Sequence, residues 1–170
     1  MRRMWRKIYS MGIRERKRAN RIYVHYGHNQ FDINLFEPAK NAGYRNKPLF
    51  GLWGSPIDST FGWKEWNQLN EYKECDDNNC FFFIIADSSR VYEIRNLNDL
   101  EQLPMVQVPE QKDRDFNNGY FIDFEKMMLM GFDAIEVEFE GVKEYLWGYD
   151  CDSIIVLNAR GLIEVHAVSN

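Results

Sequence analysis

Cys80-Phe81-Phe82-Phe83-Ile84-Ile85-Ala86 is the longest apolar run in the chain. It has the length of a strand, and with no charged position inside it the run predicts a strand buried on both faces. Asp76-Asp77-Asn78-Asn79 before it reads as a turn. Working outward, Ile22–Gly27 (Ile-Tyr-Val-His-Tyr-Gly) and Val91–Ile94 are rich in β-branched and aromatic residues and predict further strands. Leu49–Trp53 predicts a short strand ended by Gly54-Ser55-Pro56. Ala134–Glu140 alternates Ile135, Val137 and Phe139 with Glu136, Glu138 and Glu140, which predicts a half-exposed strand with its acids in water. Tyr145–Trp147, Ser153–Leu157 and Leu162–Val165 complete the set.

Helices are fewer. Ser59 or Thr60 can cap a helix carrying Trp63, Trp66, Leu69 and Tyr72 on one face, with Trp66 the best core residue. Asn98 can cap a short turn over Asp99–Leu103 before Pro104. Phe121–Met130 reads as helical, with Phe124, Met127 and Met128 inward and Gly131 as its stop. Residues 30–48 and 107–118 read as loops, and Gly27, His28 and Asn29 as a turn. About seven short strands and two or three helices in no regular alternation give an α+β class rather than a doubly wound one.

The chain's 170 residues are enough for one domain with a real core. Hydrophobic residues make up 45% and charged residues 28%, the balance of an ordinary globular protein, while aromatics reach 15%, an excess that suits pockets for planar ligands as well as cores. The charge is unevenly spread. Residues 1–21 hold nine Lys and Arg against Glu15 alone, and residues 22–170 hold 12 basic and 25 acidic residues. The division expected is therefore a basic N-terminal arm over 1–21 and one domain over 22–170. The acidic body is a poor surface for nucleic acid. The arm is either a solvated tail or a dock for an acidic partner.

Cys75, Cys80 and Cys151 are an odd number and lack metal-ligand pairing, so free thiols in a reducing compartment and no metal are expected. No apolar h-region follows the basic start and no run approaches the ~20 residues that cross a bilayer, so a cytoplasmic protein without membrane segments is expected. Neither GxGxxG nor GxxxxGK[ST] is present.

Three segments carry the chemistry. Tyr23-Val24-His25-Tyr26-Gly27 sets a His on a strand with Gly close behind. Gly51-Leu52-Trp53-Gly54-Ser55-Pro56 is followed by Trp63 and Trp66. Tyr149-Asp150-Cys151-Asp152 stands before the apolar Ser153-Ile154-Ile155-Val156. In that order they resemble the ADP-ribosyltransferase superfamily, on its His–aromatic–acid side, over residues 22–158.

The resemblance implies a split mixed β-sheet sandwich with flanking helices and an NAD site. His25, with Tyr26 and Gly27, would hold a ribose hydroxyl, and His28 is a rival for the same role. Trp53, Ser55 and Trp63 would surround the nicotinamide. Asp152 would stand as the catalytic acid, with Asp150 directing the acceptor. The family acid is more often Glu, and here it is Asp. Some phage-encoded members of the superfamily inhibit bacterial CRISPR defence by modifying a partner protein.

Three functions follow from the same residues. One is transfer of ADP-ribose from NAD to a macromolecule, protein rather than nucleic acid, with release of nicotinamide. The second is a catalytically silent relative that binds and blocks a partner. The third is NAD hydrolysis. Beside them stand plain structural roles: a hydrogen-bonded core His for His25, core packing for the tryptophans, and an Asx turn for Asp150 and Asp152.

Overall fold

The computed structural model describes residues 22–43, 45–71, 77–107, 120–146 and 148–167. The basic arm therefore lies outside the described residues, as do Tyr72, Cys75 and Trp147. In chain order the strands are β1 (Ile22–Tyr26), β2 (Leu52–Pro56), β3 (Cys80–Ile85), β4 (Val91–Ile94), β5 (Met105–Gln107), β6 (Tyr120–Ile122), β7 (Ala134–Val137), β8 (Ser153–Val156) and β9 (Leu162–Ala167). The helices are α1 (Trp63–Leu69), α2 (Leu97–Glu101) and α3 (Phe124–Leu129). Seven strands form one sheet in the order β4-β7-β8-β2-β1-β3-β9, and β5 and β6 form a separate ribbon. Only β4 and β7 run parallel, so the sheet is mixed and the class is α+β.

Each face of the sheet has its own core. Tyr23, Phe81, Phe83, Ile154 and Val156 pack on one side with Phe31 and Phe36 from the loop after β1. Ile94, Ile135, Val137 and Ile155 pack on the other with Leu100 of α2 and Phe124 and Met127 of α3. The period of two along β8 explains this: Ile154 and Val156 face one core while Ile155 faces the other. Fifteen and eight buried residues make up the two clusters, which is why both faces of β8 are closed to water.

Several local expectations are corrected. β2 continues through Gly54-Ser55-Pro56 instead of ending there. Gly54 is required because a Cβ would lie 2.6 Å from the Phe83 ring. Gly62, not Ser59 or Thr60, precedes α1, with Glu65 accepting from the Gly62 N–H. Leu69 is 72% exposed, so the Trp63–Trp66–Leu69 face is no core stripe. Asn96 caps α2, and its side chain accepts from Asp99 N. Phe121 belongs to β6, and α3 begins only after Asp123. The 145–146 segment is turn and bend, not strand. Glu136 is 3% exposed rather than solvated, because the Tyr23 hydroxyl donates to it at 2.5 Å from three strands away. Glu138 and Glu140 do sit in the open, on Arg95 and Lys143. Among the described residues no helix is long and apolar enough to cross a membrane.

Candidate functional site

The sheet has one weak seam. β1 pairs with β3 over five positions but with β2 over two, Tyr23 with Pro56 and Val24 with Ser55. Beyond Val24 the two strands part, and the His25 imidazole takes up a backbone acceptor of the separated strand. Its Nδ1 lies 2.8 Å from the Trp53 carbonyl oxygen. A carbonyl only accepts, so Nδ1 carries the proton and Nε2 keeps its lone pair in the neutral ring. Burial pushes the His25 pKa below its ordinary value; the Trp53 carbonyl opposes this and His28 adds to it. Nε2 faces Nδ1 of His28 at 3.4 Å, and Phe81 supports the ring at 4.9 Å between centroids.

At the parted seam lies a cavity of about 280 Å³. His25 and Tyr26 enter it from β1, Trp53 and Ser55 from β2, Trp63 from α1, and Asp150 from the turn before β8. Six of the eight residues singled out from sequence thus converge across 125 residues of chain. Trp53 leans on Tyr149 with ring centroids 5.5 Å apart, and Trp63 stacks on Trp66 at 4.8 Å and 11°. Ser55 is buried and its hydroxyl accepts from the Trp63 N–H at 2.9 Å, so it fixes the start of α1 and with it the Trp63 indole. Trp66, expected in the core, is instead a half-buried backing plate for that indole.

Gly27 and Asp152 are not brought in. Gly27 ends β1 with a positive φ of 106° and is tied to Asn79 through both its N–H and its carbonyl. Asp152 lines a second, acid-rich cavity of about 180 Å³ with Asp58, Glu136 and Glu138. There its Oδ2 accepts from the Ser59 hydroxyl at 2.7 Å and its Oδ1 from the Phe139 N–H at 2.8 Å. Its own N–H donates to the Phe61 carbonyl at 3.0 Å. The carboxylate closest to the aromatic cavity is therefore Asp150, the reverse of the expected order.

Three further lining residues escaped the sequence reading. Lys47 comes from the stretch read as loop, and its Nζ lies 3.3 Å from Asp150 Oδ2 and 6.0 Å from the centre of the Trp53 ring. Tyr149 is buried beside Trp53, and burial pushes its phenol well up; its hydroxyl has no hydrogen-bond partner among the described residues. Cys151 is also buried, which lifts its thiol to about 11 and makes it a poor nucleophile. Tyr149 and Cys151 flank Asp150 in sequence, and that adjacency was the available signal. For Lys47 there was none, since a lysine inside a polar loop looks like any other.

The arrangement offers two indoles, one neutral imidazole and one carboxylate paired with one lysine. Flat cations bind to such a set, held by ring faces and balanced by the carboxylate. No family model, no curated protein and no solved structure matches the chain.

Proposed function

We propose that this protein binds NAD in the seam cavity and transfers its ADP-ribose to a macromolecular acceptor, releasing nicotinamide. The observation that carries the proposal is the meeting of His25, Trp53, Trp63 and Asp150 around one cavity where β1 and β2 separate. The donor set suits NAD, whose nicotinamide ring is flat and cationic and whose bond to ribose leaves an electron-poor sugar as it breaks. A volume of about 280 Å³ sits just under the ~300–1,000 Å³ of drug-sized sites. It suits nicotinamide with its ribose, and the adenylate would lie along the open mouth beside His25 and His28.

Each side chain then has one task. Trp53 and Trp63 hold the ring and keep water from it. Asp150 stabilises positive charge developing on the ribose, a preorganised electrostatic role. His25, fixed by the Trp53 carbonyl, keeps an unprotonated nitrogen for a ribose hydroxyl without adding charge. The bonding pair leaves with neutral nicotinamide, and the acceptor's heteroatom bonds to the anomeric carbon and gives up its proton to water. A split mixed sheet of the ADP-ribosyltransferase kind accords with a seam at β1 and β2.

A silent relative that binds and blocks a partner is favoured by one observation: both oxygens of Asp152, the expected catalytic acid, are already engaged by Ser59 and Phe139. Titration with NAD separates the readings. Quenching of tryptophan fluorescence, with nicotinamide released and label passed to an acceptor, is expected. No quench and no calorimetric heat at millimolar NAD would sink the enzyme. Nicotinamide release without any labelled acceptor would mean hydrolysis instead. Partner capture that survives Asp150→Ala, with no release, would mean the silent relative.

A further inference from the structure

We infer that Lys47 is a tethered stand-in for the ligand's positive charge, so that the seam cavity admits a planar ring in its cationic form and discriminates against the neutral one. The inference rests on the NAD reading and names what decides the ligand's charge state. Among the described residues lining the cavity Lys47 is the only lysine or arginine and Asp150 the only carboxylate. The Lys47 ammonium lies 3.3 Å from that carboxylate and 6.0 Å from the centre of the Trp53 ring. It occupies the place, over an indole and beside an acid, that a pyridinium would take.

The lysine is held there by a fixed backbone. Asn46 is buried and its side-chain oxygen accepts from the Ile122 N–H at 3.2 Å, while Leu49 pairs with Lys40 in both directions at 2.9 Å. Pro48 between them is buried. The side chain itself is less constrained. Lys47 and Asp150 are 33% and 39% exposed, so their pair is partly screened and can exchange. A ring entering over Trp53 must push the ammonium aside. If the ring is neutral, Asp150 loses its counter-ion and gains none in return, so the attraction of the pair is forfeited. If the ring is cationic, it replaces the charge it displaces, and the freed lysine can turn to the anionic phosphates outside.

The test uses the full chain and two small probes, nicotinamide methylated on its ring nitrogen, which is a cation, and nicotinamide, which is neutral. Binding is read by tryptophan quenching on wild type, Lys47→Met, Asp150→Asn and the double variant. Removing the competing ammonium should tighten the cationic probe about three- to tenfold, the size of an exposed ion pair plus a cation–π contact. Neutral nicotinamide, which displaces the same ammonium, should tighten by a similar factor in Lys47→Met but bind wild type more weakly than the cation; Asp150→Asn should abolish that preference for the cation, and equal wild-type affinity for the two probes overturns the inference. Lys47→Arg, which keeps the charge, should give no tightening of the cation, and Lys47→Gln replaces Lys47→Met should the latter misfold by circular dichroism. Unchanged or weaker binding of the cation in folded Lys47→Met and Lys47→Gln overturns the inference, whatever wild type does with NAD. Tighter cation binding in a protein whose wild type ignores NAD would leave the counter-ion role standing and remove the NAD reading alone.

Discussion

Asp150 and Asp152 stand two residues apart and face different cavities. Asp150 meets a lysine at the end of a flexible side chain, inside a cavity walled by two tryptophans. Asp152 meets a hydroxyl and a backbone N–H from two separate segments, inside a cavity whose lining, among the described residues, holds three other acids and no aromatic ring. A carboxylate that holds backbone together is committed to the fold, because moving it would orphan the groups it satisfies. A carboxylate whose partner can swing away is available to a ligand. Proximity to a buried strand, the criterion that favours Asp152 from sequence, does not distinguish the two.

The largest expected effect tests that division. Asp150→Asn, nearly isosteric, should lower nicotinamide release by about 10²–10³, the usual cost of one preorganised electrostatic group. Its stability to urea should stay within about 0.5 kcal/mol of wild type, as for other exposed pairs. A fall of that size in a folded Asp152→Asn, with Asp150→Asn at wild-type rate, would exchange the roles.

Next in size is stability. Asp152→Ala strips acceptors from the Ser59 hydroxyl and the Phe139 N–H, which tie the loop before α1 to the turn after β7. Hydrogen bonds to a charged group contribute about 1.5–3 kcal/mol, and partial access to water keeps the expected total near 2 kcal/mol. Asp150→Ala should lose far less. Equal urea midpoints for the two alanine variants would erase the contrast between the cavities.

The contrast also shows what local sequence can carry. Apolar runs located β1, β3, β4 and β8 because burial imposes a pattern on neighbouring residues. The same logic failed at β7. Glu136 alternates like a solvent-facing residue and is buried, since its partner Tyr23 lies 113 positions away. At β2, Gly54-Ser55-Pro56 has the composition of a turn, yet the glycine makes room for Phe83 and Pro56 sits at the last paired position with β1. Six of eight site residues were legible because the strands that carry them were. The direction of an aspartate in the irregular turn before β8 follows no period, and only Ser59 and Phe139, distant in sequence, decide it.

Ser55 sharpens the comparison from the first cavity's side, because it lines that cavity and yet serves the fold. Its hydroxyl accepts from the Trp63 N–H across eight residues, the task of a helix cap. Ser55→Ala should therefore cost about 1 kcal/mol, as lost caps do. NAD affinity should fall only modestly, through a looser Trp63. A large loss of affinity at unchanged stability would show instead that the hydroxyl contacts the ligand.

The smallest effect belongs to His25, and it depends on pH. In the fold its pKa lies below 6.5, first because the ring is buried, with the Trp53 carbonyl opposing and His28 assisting. In the unfolded chain it titrates near 6.5. Between those two values the unfolded state binds more protons, so stability rises with pH through that window. The contribution of neutral His25 is complete above the unfolded value and is lost as the pH falls below it. His25→Gln keeps a side-chain N–H for the Trp53 carbonyl but cannot titrate. Urea midpoints of wild type and His25→Gln should therefore converge, or cross in favour of Gln, as the pH is lowered from about 7.5 to about 5. NAD affinity in wild type should hold while folded His25 stays neutral and fall only once the pH drops through its lowered folded value, because a proton on Nε2 removes its lone pair. A constant gap between the two proteins across that range would mean that His25 is not held neutral by the seam, and would remove its proposed role at the ribose.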